Sequence, residues 1–263
     1  MPNFMRRRIA PLATLLLLLG TGTAAAGDEV VLSTHDAEMT PQHNLLTVSR
    51  AGRRRYRLAA PLIEIAYRRE GARADDEPDL IVTDYAGGAH CCWTVHVIGL
   101  GAVVAEDKIA IRDSELELDR SAMPPRLRFH DFAFAYWKAA FADSPAPLVV
   151  LAWDRRARHY LPDIAAMRQP APDQPAQSAA AAEMRAKLAA SPADRPDPAL
   201  WERMLDLIYA GNAAAARQFF DQAWPRERRG KPEFLAEFTR QLRSGDLWRR
   251  YDLGRRLGAD GVF

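Results

Sequence analysis

Apolar and polar residues take turns in short runs through the first two thirds of this chain, and the rhythm then becomes helical. Asn44–Arg50 and Arg126–Phe129 alternate with period two, the pattern of a strand with one face buried. Val30–Ser33, Arg54–Leu58, Ile63–Tyr67, Leu80–Thr83, Trp93–Ile98, Val103–Ala105 and Glu115–Leu118 read as further strands. Leu148–Leu151 is apolar without interruption and follows Pro145 and Pro147, which suits a strand covered on both faces. Phe132–Phe141 begins with alternating aromatics and continues like a short amphipathic helix, so its pattern fits either element.

The stretch Gln169–Gln177 carries three prolines and no periodicity, and reads as a linker or long surface loop. Beyond it, Ala179–Ala190 predicts a helix of low burial. Asp197-Pro198 starts another, with Leu200, Trp201, Met204, Leu205 and Ile208 at helical spacing and Gly211-Asn212 as its stop. Ala213–Trp224, closed by Pro225, then Pro232–Leu242 and Leu247–Leu257 complete a small bundle. The fold class is therefore α+β. An antiparallel β-rich domain over 27–165, a sandwich or partial propeller, is followed by a Pro/Ala-rich linker over 166–182 and a helical C-terminal domain over 183–263.

Arg6-Arg7-Arg8, an apolar run with five consecutive leucines and Ala24-Ala25-Ala26 form the three parts of a secretory signal peptide over 1–26. Cleavage there predicts a soluble, periplasmic protein with no membrane anchor. It also changes the charge argument. The full chain has 36 lysines and arginines against 34 acids, and three of the arginines belong to the leader. A nearly neutral remainder gives no electrostatic case for binding nucleic acid. The run Arg53-Arg54-Arg55 reads as a solvated strand face or edge.

Chemistry concentrates in Asp79–Leu100. Both cysteines of the chain, Cys91 and Cys92, stand side by side behind Gly87-Gly88 and His90. The glycines permit positive φ, so the chain can reverse there and present His90-Cys91-Cys92 at the head of a strand. In a regular strand Cys91, Trp93, Val95 and Val97 share one face, which looks like core. His90, Cys92, Thr94 and His96 share the other. In an oxidising compartment the two thiols have only each other as partners. Adjacent Cα atoms lie about 3.8 Å apart, below the usual disulfide range of about 4.4–6.8 Å, so a vicinal bond is possible but strained. It would stiffen a recognition turn formed by Gly87, Gly88 and His90, or cycle with the dithiol. No Cys-x-x-Cys motif favours an ordinary oxidoreductase.

The rival chemistry is metal binding, with copper or zinc held by sulfur and imidazole. His90, Cys92 and His96 spread over about 20 Å on a straight strand and cannot converge. His90 and Cys92 could, with His130 or His159 from elsewhere. Asp75–Leu80 resembles the Asp-rich calcium loop of FG-GAP-type propeller repeats, but it lacks the turn glycine and bunches its acids, so a solvated loop fits better. Asp84, His90, His130 and Asp131 are the residues an acid-base group could draw on, though nothing in their spacing demands one. Hydrolase and phosphate-loop motifs are absent.

Three segments carry a resemblance: Pro78–Cys92, Phe132–Leu151 and Leu200–Pro225. Together they resemble an uncharacterised family of exported bacterial proteins with a GGAHCC motif, here Gly87–Cys92. The resemblance implies export and a two-part layout, and carries no activity with it. The reading that follows is a binding or interaction protein of the cell envelope rather than an enzyme. Its partner would be an envelope protein or a small ligand, with no cofactor; the alternative is a copper- or zinc-binding or thiol-redox-responsive protein.

Overall fold

The computed structural model describes residues 27–37, 40–70, 76–88, 92–192 and 196–263. The leader expected over 1–26 lies outside the described residues, as do Asp75, His90 and Cys91. The β region is three antiparallel meanders. β1 (Asp28–Ala37), β2 (Thr40–Arg50) and β3 (Arg53–Ala60) form the first sheet. β4 (Leu62–Arg68), β5 (Leu80–Tyr85), β6 (Trp93–Leu100) and β7 (Val104–Arg112) form the second. β8 (Glu117–Asp119), β9 (Arg126–His130), β10 (Leu148–Asp154) and β11 (His159–Pro162) pair in the order β11-β10-β9-β8. Among the described residues no sheet closes into a barrel. Between β2 and β3, Ala51 and Gly52 both take positive φ, 50° and 73°. This is the backbone a two-residue hairpin needs to match the strand twist.

The second sheet is the middle layer. Leu80, Val82, Ile98 and Leu100 pack with Leu46, Val48 and Ala60 of the first sheet. Ile81, Val95, Val97, Ile109 and Ile111 on its other face join a larger core with Leu127, Phe129, Val149 and Leu151 of the third sheet. Coverage on both faces explains why β6 reads without alternation, Val95–Ile98 being buried throughout. Strand β7 runs seven residues beyond the short Val103–Ala105 segment that pattern suggests, up to Arg112. Its outer residues are charged because it is an edge.

Phe132–Phe141 is neither strand nor α-helix. Two single 3₁₀ turns, Phe132–Phe134 and Phe141–Asp143, flank Tyr136 and Lys138 at φ 61° and 56°, and residues in the left-handed region cannot continue a helix. Packing settles the conformation. Phe134 and Trp137 insert among Trp201, Phe234 and Phe238 of the helical region.

That region contains α1 (Ile164–Met167), α2 (Gln174–Ala190), α3 (Ala199–Tyr209), α4 (Ala213–Ala223), α5 (Lys231–Ser244), α6 (Asp246–Tyr251) and α7 (Leu253–Arg256). The linker expected over 166–182 is helical from Gln174 on. Asp173 accepts from the Ala176 N–H at 2.8 Å, and Pro175 sits in the first turn, where its missing donor costs nothing. The same helix buries Gln177, Ala181, Met184 and Leu188. The helix expected over Leu247–Leu257 is broken in two by Asp252, whose φ is 52°. No described helix is long and apolar enough to cross a membrane.

Candidate functional site

The β5–β6 hairpin carries the glycine-cysteine turn. Its last cross-strand pair is Tyr85 opposite Trp93, with ring centroids 5.0 Å apart. Above it the Ala86 N–H donates to the Cys92 carbonyl at 3.1 Å, and the Tyr85 hydroxyl donates to the Gly88 carbonyl. Gly87 and Gly88 have φ of 91° and 118°, a backbone that side chains rarely adopt. An added Cβ at Gly87 would find nothing nearer than Pro61 Cγ at 3.9 Å, so conformation rather than space demands that glycine. Cys92 stands at the head of β6 and is not a free thiol.

The strand face assigned to Cys92, Thr94 and His96 is half-buried at Cys92 and Thr94 and buried at His96. It turns toward the first sheet, and His96 is 3 % exposed. Its Nε2 lies 2.5 Å from Asp84 Oδ1 on β5, and its Nδ1 lies 2.7 Å from Glu106 Oε1 on β7. Tyr56 reaches across from β3 and donates its hydroxyl to the same Glu106 oxygen at 2.5 Å. Lys108 Nζ lies 3.5 Å from the other. Ionised carboxylates only accept, so two of them facing the ring favour protons on both nitrogens, the imidazolium form. Burial pulls its pKa down, but the hydrogen bonds and charges of Asp84 and Glu106 outweigh it and hold the ring above the ordinary histidine range. For Glu106, burial pushes upward; Tyr56, His96 and Lys108 together bring its carboxyl below the ordinary value. The row Tyr56–Glu106–His96–Asp84 therefore clamps first sheet to second. With both its nitrogens engaged and the ring out of solvent, the imidazole is held as a structural link.

The acid-base residues drawn from sequence do not converge. Asp84 is taken by His96. Asp131 is buried and accepts from the Tyr209 hydroxyl at 2.7 Å and the Ala133 N–H at 3.0 Å. Burial raises its pKa against the pull of those donors. His130 ends β9, exposed, with Nδ1 donating to the Ala146 carbonyl at 2.7 Å. Of the proposed ligands His90, Cys92 and His130, the first lies outside the described residues. No group of three or more His, Cys, Asp or Glu side chains placed to hold a metal occurs among the described residues. The acidic loop is engaged as well: Arg155 pairs with Glu77 and Arg69 with Asp79, and the Trp153 indole donates to the Asp76 carbonyl. Arg53 and Arg54 are exposed on edge strand β3, as their sequence suggests, whereas Arg55 donates to the Gly101 and Ala102 carbonyls.

The row of four was missed because its members come from three hairpins. One signal was present: Asp84 and His96 are polar residues inside otherwise apolar strands, which requires partners. No family model matches this chain, and no curated protein or solved structure matches it.

Proposed function

We propose that this is a periplasmic binding or interaction protein of the cell envelope, and that it presents the Gly87–Cys92 turn as a rigid recognition element locked by a bond between Cys91 and Cys92. The observation that carries the reading is that Cys92 is not a free thiol in a chain whose only other cysteine is its neighbour. Two further features support it. The base of the turn is pinned by the Tyr85–Trp93 pair and the Ala86-to-Cys92 hydrogen bond. The strands below it are fixed by the His96 row, and a turn locked by such a bond would lower the ordering cost of binding. Residues 1–26 supply the export expectation.

Intact mass of the exported protein, with and without thiol alkylation and with metal analysis, tests the reading. A mass lighter by two hydrogens than the reduced chain, without alkylation, is the expected result. Two alkylatable thiols, or copper or zinc bound in stoichiometric amount and lost in Cys92→Ala, would overturn it.

A further inference from the structure

Strand β1 pairs with β2 on one side, and among the described residues nothing pairs with its other edge. An open edge is a row of unpaired N–H and C=O groups that can take up a strand from another chain, and proteins usually blunt it. The other sheet edges of this molecule are blunted. Strand β3 carries four arginines, and β7 has Glu106, Asp107 and Lys108 at its centre. Strand β4 bulges between Ile65 and Tyr67 and gives its Ala66 carbonyl to Arg120. Strand β8 is three residues long, and β11 is four and ends in Pro162. In β1, by contrast, Val30–Thr34 contains no charge and no proline, and the pairing with β2 stays regular as far as His35. Two exposed apolar side chains lie in this segment, Val31 at 46 % and Leu32 at 41 %. Leu32 stands opposite the fully buried Leu46, so it is on the core-facing side of the sheet yet stays exposed at its margin.

We propose that β1 pairs antiparallel with β1 of a second copy of this chain, about a two-fold axis through Val31. Such a contact is isologous, each strand supplying the same row of donors and acceptors. Residues directly opposite each other point to the same face, so the two numbers of every pair share parity and the axis passes through a residue. Charge and polarity then select the register. Axes through Val30 or Ser33 set an acid opposite an apolar residue, Asp28 against Leu32 in the first and Asp36 against Val30 in the second. An axis through Leu32 gains Glu29 against His35, but it sets Val30 and Val31 opposite Thr34 and Ser33 and brings Asp28 against Asp36. Like charges directly opposite are destabilising. An axis through Val31 sets Val30 opposite Leu32, Val31 opposite its own copy, Glu29 opposite Ser33 and Asp28 opposite Thr34. Apolar residues then meet apolar ones, and each acid meets a hydroxyl residue. Leu32 gains a neighbour on the core-facing side that its own sheet does not supply. A single strand pair is smaller than a standard interface of about 1,600 Å², so the dimer is weak, with a dissociation constant on the order of 10–100 μM. The contact lies on a different sheet from the cysteine turn and stands independently of the function proposed for that turn.

Sedimentation equilibrium of the exported protein, at concentrations up to about 1 mM, tests this. A reversible monomer–dimer equilibrium is expected. Val31→Lys and Val31→Glu, at an exposed position, should each keep the circular dichroism spectrum of the wild type. Each should weaken dimerisation about tenfold, since each places like charges on the axis. An equal mixture of the two variants should form a heterodimer about as tight as the wild-type dimer, because the charges at position 31 are then opposite. Glu64→Lys, on the bulged edge of β4, should leave the dimer unchanged. A wild type that stays monomeric throughout would overturn the proposal and leave the edge to an extended segment of another protein. A dimer indifferent to both Val31 variants, one lost in Glu64→Lys, or a mixture no tighter than either variant alone would overturn it as well.

Discussion

The two cores of this molecule differ in size and in what crosses them. The first sheet meets the second through a small cluster that includes Leu46, Val48, Val82 and Ile98. Beside this cluster runs the charged row from Tyr56 to Asp84. The other face of the second sheet belongs to a cluster that continues through the third sheet into every helix from α2 onward. There the ion pairs are exposed in good part, such as Arg112–Asp246 and Lys138–Glu237, and neutral bonds such as Gln241 donating to the Ala133 carbonyl at 2.6 Å lie beside them. The helical region shares its buried core with the β region. Where apolar area is large, polar groups only orient the contact. Where it is small, a buried ion cluster shares in holding the layers.

The largest effect should come from Trp201→Ala, which empties a fully buried site edge-on to Trp137. It is expected to cost about 3–5 kcal/mol in urea unfolding. Circular dichroism and tryptophan fluorescence should then report one coincident transition, because helices and third sheet share a core. Separate transitions would break the comparison. Leu46→Ala should cost about 2–5 kcal/mol, and hydrogen exchange should quicken in β1–β3 while α3–α5 stay protected.

His96→Ala removes the centre of the row and leaves two partly buried carboxylates facing an emptied site. About 3 kcal/mol is expected, by the rule for breaking a buried ion pair from one side, measured by chemical denaturation at pH 6. A loss below about 1 kcal/mol would mean that water screens the row as it does at a surface.

Asp131→Ala strands the buried Tyr209 hydroxyl and should cost about 1–3 kcal/mol. Asp131→Asn keeps an acceptor and removes a carboxyl that burial already resists ionising, so it should be close to neutral at pH 7. A large loss in the asparagine variant would show that the negative charge itself anchors the helices.

The smallest effect is on pH dependence. The His96 pKa is raised from 6.5, so its contribution is complete below that value and fades as pH rises through the folded pKa. The Glu106 pKa is lowered from 4.5, so its contribution is complete above that value and is lost as pH falls through the folded pKa. Between these limits both act, and stability set by the row should be greatest there. Thermal melts across pH 4–9 should show the alkaline decline in the wild type and a flattened one in His96→Gln. The same decline in both would assign it to other groups.

Much of the architecture was legible in residue order. Alternation located the strands, Asp197-Pro198 and Gly211 bounded α3, and Gly87-Gly88 placed the reversal ahead of Cys92. These are local properties: the period of the hydrophobic pattern, a capping oxygen, a backbone only glycine tolerates. Tertiary structure decided the rest. It buried His96, turned Phe132–Phe141 into two 3₁₀ turns under Trp201, and extended α2 into the proline-rich stretch. Each of these depends on residues far apart in the chain. Which groups meet is set by how three sheets and a helical layer share their apolar faces, and a one-dimensional pattern shows that a face exists without showing what covers it.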